Sequence, residues 1–207
     1  GWGTPNTEQD EGIISQYFDI QFRPLENLYS TFGLRSDDHD TAGRYSSGRV
    51  TAAYLLDGNS KIRSSIGTGL RFPSLYAYGF ASTVAGGENL EGLKAERGLT
   101  FDLGYDTLLT NLDLGLNITY FKTEQKNTLF SNSRTGWSTM NMTGRNTSEG
   151  VEVGGTWKPA DSKFGLNFGY TFTDTYDANT CDPDELASFT DKECRGSGKL
   201  AKAKVRV

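Results

Sequence analysis

Apolar and polar residues alternate with a period of two along nine stretches of this chain, and the connections between the stretches run short, long, short, long. From Leu112 to Tyr120, Leu112, Leu114, Leu116, Ile118 and Tyr120 share one face, while Asp113, Gly115, Asn117 and Thr119 share the other. Only an extended strand keeps two such sets apart. Tight connections at every second turn pair consecutive strands antiparallel and send the long loops to one end. That wiring is expected of an outer-membrane β-barrel wall, with tight turns on the periplasmic side and long loops outside.

The expected strands are Ile13 to Arg23, Leu28 to Ser36, Gly48 to Leu56, Lys61 to Arg71, Ala95 to Asp106, Asn111 to Thr123, Gly150 to Lys158, Phe164 to Thr175 and Lys199 to Val207. They match a tilted strand crossing a bilayer and exceed the usual soluble strand. Between them lie tight turns at 24–27, 57–60, 107–110 and 159–162, and long connections at 37–47, 72–94, 124–149 and 176–198. Asp57-Gly58-Asn59 and Pro159-Ala160-Asp161 carry turn chemistry. Ile62, Ile66 and Leu70 oppose Lys61, Arg63, Gly67, Gly69 and Arg71, so one face suits lipid and the other a wet interior. Tyr54, Tyr105, Tyr120, Trp157 and Tyr170 stand near strand ends, where the headgroup region favours such rings.

Composition narrows the class further. No apolar run approaches the 18 or so residues of a membrane-spanning helix. Mean hydropathy is negative, as in a soluble β-protein or a barrel that spends alternate residues on lipid. A net charge of −5, with Lys and Arg scattered, disfavours a nucleic-acid partner. The opening at Gly1 and the strand-like ending at Val207 read as a piece of a longer protein. Nine strands cannot close an ordinary even-numbered barrel, so an arc of a larger one is expected.

Several apparent motifs carry no chemistry. Gly67-Thr68-Gly69 lacks the remainder of a dinucleotide fingerprint, and Gly196-Ser197-Gly198-Lys199 is not a phosphate loop. His39, within Asp37-Asp38-His39-Asp40, reads as a solvated loop tip or as a divalent-cation ligand. No catalytic arrangement, metal site or cofactor is expected, and glycosylation sequons at Asn117, Asn141 and Asn146 are read as chance. Cys181 and Cys194 share an acidic segment and read as a disulfide of an oxidising compartment or as two free thiols.

Short segments in order carry a more specific signal. Residues 63–75, including Gly67-Thr68-Gly69-Leu70-Arg71-Phe72-Pro73-Ser74-Leu75, resemble the "GtGfRaPsL" segment of TonB-dependent outer-membrane receptors. Glu88-Asn89-Leu90 and Leu93-Lys94-Ala95-Glu96 resemble that family's "NPNLKPE" element, split here by an insertion and with Ala95 for Pro. Tyr120-Phe121-Lys122-Thr123-Glu124 is similar to the "ayFrte" strand end. Asn141 with Ser148-Glu149-Gly150-Val151-Glu152 resembles "N…srGvE", and Leu34 to Asp38 resembles "GlRyd".

The resemblance implies a transmembrane barrel of about 22 strands around a plugged lumen, of which residues 1–207 would be a partial wall without plug or C-terminal strands. It implies a transporter in a Gram-negative outer membrane, driven by a TonB-type energy-coupling protein and taking up an iron-siderophore or a corrinoid. A passive porin and a soluble extracellular β-sandwich are the rival readings. Arg63, Gly67, Gly69 and Arg71 would face the lumen: the glycines would leave room for a plug or let the strand coil, and Arg71 could pair with plug carboxylates. Tyr76, Tyr78, Phe80, Asn89 and Trp137 are the loop residues expected to meet ligand, although the rings could equally pack on one another.

Overall fold

A computed structural model of the protein describes residues 10–75, 77, 93–130, 140–141, 144–160, 162–176 and 199–200. Its strands are β1 (Ile13–Leu25), β2 (Leu28–His39), β3 (Gly43–Leu55), β4 (Ser60–Arg71), β5 (Glu96–Leu109), β6 (Leu114–Lys126), β7 (Leu129–Phe130), β8 (Met140–Asn141), β9 (Arg145–Trp157), β10 (Leu166–Tyr176) and β11 (Lys199–Leu200). Nine of them form one sheet in the order β1-β2-β3-β4-β5-β6-β9-β10-β11, and β7 and β8 form a separate two-stranded ribbon. Every neighbour pairs antiparallel. This is the all-β antiparallel arc the alternation implies, and its sheet is open.

Cross-strand register shows why the alternation matters. Leu28, Tyr54, Ile62, Tyr105, Ile118, Val153 and Tyr170 stand in one row across seven strands. Tyr54, Ile62, Tyr105, Ile118 and Tyr170 are each between 38% and 50% exposed. One position along, the parallel row Ala53, Arg63, Gly104, Thr119, Glu152 and Thr171 faces the opposite way. The apolar rows have no second layer over them among the described residues, which contradicts a sandwich. Buried apolar residues there include Ala77, Leu93 and Ala95, all outside the sheet.

The four turns that join β1 to β2, β3 to β4, β5 to β6 and β9 to β10 lie at one end of the sheet and are stitched to one another. The Leu55 N–H donates to the Asn27 carbonyl (2.8 Å), Leu108 N–H to the Asn59 carbonyl (2.9 Å) and Lys158 N–H to the Asp113 carbonyl (3.2 Å). Asp57 Oδ1 accepts from the Asn59 N–H at 2.7 Å, the Asx contact its sequence promises. The turn expected at 107–110 falls instead at 110–113: β5 continues through Leu109, and Asp113 takes φ 49, a left-handed conformation that Asp tolerates. Leu112, assigned above to a strand, stands in this turn.

The expected long connection at 37–47 is another correction. β2 runs to His39 and β3 begins at Gly43, so residues 40–42 form a tight link. Asp37 is buried and paired: its Oδ1 accepts from Ser15 Oγ (2.6 Å) and Arg35 Nε (2.8 Å). His39 is not a solvated tip, being 3% exposed. Its Nδ1 accepts the N–H groups of Thr41 (3.2 Å) and Ala42 (3.1 Å), closing the turn, while Gly43 supplies φ 81. No three metal-ligating side chains gather around one point among the described residues. The expected 124–149 loop also shortens, because β6 extends to Lys126 and β9 starts at Arg145. Of the strand expected at Lys199–Val207, residues 201–207 lie outside the described residues.

Two substitutions test this arrangement in the full-length protein. Ile118→Arg puts a cation on the lipid face and should cost about 2–4 kcal/mol near the bilayer centre. Asn117→Arg, on the opposite face and directly across from Asp106, should cost little; equal urea midpoints in lipid vesicles would contradict the two-faced wall. At Gly150, a Cβ would overlap the Phe172 carbonyl oxygen and come within 2.8 Å of Phe121 Cζ. Gly150→Ala should therefore lower the yield of folded, heat-modifiable barrel, whereas Gly69→Ala, with nothing within 4 Å, should leave it unchanged.

Candidate functional site

Two regions of the described chain gather side chains into bonded groups. The first lies on the polar face of the sheet. Arg63, on β4, donates from Nε to Asp106 Oδ2 (3.1 Å) and from Nη2 to Thr119 Oγ1 (2.7 Å), with Asp102 Oδ1 at 3.9 Å. Lys61 Nζ approaches Asp106 at 3.5 Å, and Ser65 Oγ donates to Asp102 at 2.6 Å. Thus the β4 cations are matched by β5 acids two and four residues apart on the same face. Gly104 makes this possible, since a Cβ there would sit 2.8 Å from Arg63 Cζ.

The other lumen candidates divide. Gly67 lies under the Arg49 side chain, whose Cγ would be 3.3 Å from a Cβ at Gly67, so its bareness serves a neighbour in the wall. Around Gly69 the space is open. Arg71 pairs with Glu96 directly across on β5, Nη1 to Oε2 3.1 Å, and is 78% exposed at its side chain. The wall itself therefore supplies a carboxylate to both Arg63 and Arg71. Gln21, Arg23, Tyr29, Thr31, Arg49 and Arg63 line an open depression of about 550 Å³ on this face.

A second region crowns the long-loop end. Phe72 leaves β4 and stacks on His39 (ring centroids 4.5 Å) and against the edge of Tyr45 (5.5 Å). Buried Pro73, Ala77, Leu93 and Ala95 follow, with Leu129 of β7 packed on Ala77 and Leu93. The Tyr45 hydroxyl accepts the Ala95 N–H at 3.3 Å, and the Arg97 guanidinium lies over the Tyr45 ring at 5.1 Å.

Asn141 of β8 joins this group to the β6–β9 connection. Its Oδ1 accepts the Lys94 N–H (2.7 Å), and its Nδ2 donates to the carbonyls of Lys94 (2.8 Å) and Asn127 (2.7 Å). Glu96 Oε1 accepts the Leu129 N–H at 2.8 Å, and Asn127, at φ 57, donates to the Ala95 carbonyl at 3.4 Å. Sequence reading singled out Asn141, Leu93, Lys94, Ala95 and Glu96 as parts of ordered segments without giving them a joint task. Tyr45 and Gly104 it missed, although each could have been suspected from a strand position facing a charge or a loop. Tyr76, Tyr78, Phe80, Asn89 and Trp137, expected to meet ligand, lie outside the described residues, as do Cys181 and Cys194.

Comparison with known proteins agrees with this architecture. Residues 2–193 match the family model described as TonB dependent receptor-like, beta-barrel. No curated protein matches. Among solved structures, the chain superposes on the siderophore receptor PirA of Pseudomonas aeruginosa with a TM-score of 0.64 at 18% identity, covering 80% of this chain and 34% of that one. The FrpB iron transporter of Neisseria meningitidis gives 0.62 at 16%, covering 80% and 26%. The ferric-catecholate import receptor Fiu of E. coli K12 gives 0.60 at 15%, covering 83% and 29%. These likenesses show a shared fold, and the chain spans about a third or less of each neighbour's length. With the family model covering nearly all of it, the chain belongs to the TonB-dependent receptor β-barrel family.

Proposed function

We propose that this chain is part of the wall of an outer-membrane receptor that binds an iron-siderophore at the cell surface and carries it inward with energy from a TonB-type protein. One observation carries the reading: the sheet is inverted relative to a soluble protein, with apolar rows exposed and the Arg63–Asp106 and Arg71–Glu96 ion pairs on the other face. Such a sheet is stable where hydrocarbon covers the apolar rows and water or protein fills the interior. Family membership turns that wall into one belonging to receptors rather than porins.

Iron is preferred to a corrinoid because PirA, FrpB and Fiu are described as a siderophore receptor, an iron transporter and a ferric-catecholate import receptor. The energy-coupling protein would engage a part of the receptor outside residues 1–207, and a plug would occupy the lumen beside Arg63, Gly67, Gly69 and Arg71. No chemistry is assigned to the wall; Arg63 and Arg71 are matched by carboxylates within the sheet, and its role is to hold loops and a passage in place.

Uptake of radiolabelled iron-siderophore should cease when the energy-coupling protein is deleted, while binding to whole cells persists. Transport undiminished in the deletion strain, rising linearly at high ligand concentration, would show a passive channel and defeat the proposal.

A further inference from the structure

The apolar cluster that is buried in the described chain is not in the wall. It sits above the wall, where Ala77 and Leu93 of the β4–β5 connection receive Leu129 from the β6–β9 connection. A cluster this small stabilises little by burial alone, so directional bonds must set how the two connections meet. Asn141 makes three of them. Its amide reproduces a strand partner for Lys94, bonding both the N–H and the carbonyl of that residue, and spends its remaining N–H on Asn127. Both donors of the side-chain amide are thereby engaged, together with its oxygen as acceptor.

We propose that Asn141 is a positioning residue that fastens the β6–β9 loop to the β4–β5 loop, so that an incoming ligand meets the two as one body. The ligand part of this proposal rests on the receptor reading above. The fastening part stands on geometry. Lys94 and Asn141 are far apart in sequence, and Asn127, Ala95, Glu96, Leu129 and Tyr45 continue the bond network on either side of them. Freeing Asn141 should therefore loosen bonds it does not itself make.

The test uses the full-length receptor in detergent, with Asn141→Ala and Asn141→Asp. Asp keeps the volume and the acceptor but replaces both donors with a carboxylate oxygen facing two carbonyls. Amide hydrogen exchange at Ala95, bonded to Tyr45, and at Leu129, bonded to Glu96, should quicken about tenfold in both variants, the loss of roughly one buried hydrogen bond. Ile118 in the wall should not change. Asp should be at least as damaging as Ala and should recover below about pH 5, as its carboxyl protonates and regains a donor. Faster exchange confined to Lys94, or an Asp variant that behaves as wild type, would overturn the fastening role.

Ferric enterobactin serves as the binding probe. Affinity about tenfold weaker in both variants is expected, and unchanged affinity in variants that exchange faster would overturn the claim that the joined loops serve binding. A wild-type receptor that binds neither this probe nor any other iron-siderophore would count against the receptor reading, while the exchange data would still decide the fastening.

Discussion

The antiparallel ladder β1-β2-β3-β4-β5-β6-β9-β10 is what every other feature here depends on. In hydrocarbon there is no water to accept or donate, so each N–H and carbonyl of a spanning segment needs a partner within the protein. The ladder provides it, with register continuous across β4, β5, β6, β9 and β10. Once pairing is fixed, side chains directly opposite one another share a face, and the period-two sequence separates lipid from interior without further instruction. Gly150 and Gly155 show how little tolerance the pairing has: a Cβ at the first would overlap the Phe172 carbonyl oxygen, and one at the second would overlap the Phe168 ring.

Strand existence was legible because alternation is a local signal, whereas strand ends were less so. Polarity at Asp37, Asp38 and His39 suggested a loop, yet these residues extend β2. Above the lipid-facing rows, a strand has no need of apolar side chains, and its polar groups are satisfied sideways, as Ser15, Arg35 and Asp37 are. The displaced turn at 110–113 has a different cause: Leu108, Leu109 and Leu112 all fit a strand by composition, and only the positive φ at Asp113 decides between them. The β7–β8 ribbon, two residues per strand, is too short to produce any periodic signal.

The charged face illustrates a second limit of sequence reading. Arg63 and Arg71 were legible as facing the interior by parity, but parity cannot say what neutralises them. Their partners, Asp106 and Glu96, come from β5, so opposite charges meet across neighbouring strands of one face. Asn141 was legible as part of an ordered segment, but its task depends on Lys94, 47 residues away in sequence.

Separating these two regions has a mechanical consequence. The wall draws its stability from backbone pairing and lipid, neither of which requires particular loop residues. The rim draws its own from a handful of buried side chains and from bonds centred on Asn141, Glu96 and Tyr45. The barrel can then stay intact when the rim bonds are lost. The connection between wall and rim is made at Phe72, which departs from β4 to stack on His39, and at Glu96, which begins β5 while pairing with Arg71 and holding the Leu129 N–H. A change at Glu96 would reach both regions at once, because one carboxylate closes the top of the β4–β5 ladder and anchors the neighbouring loop.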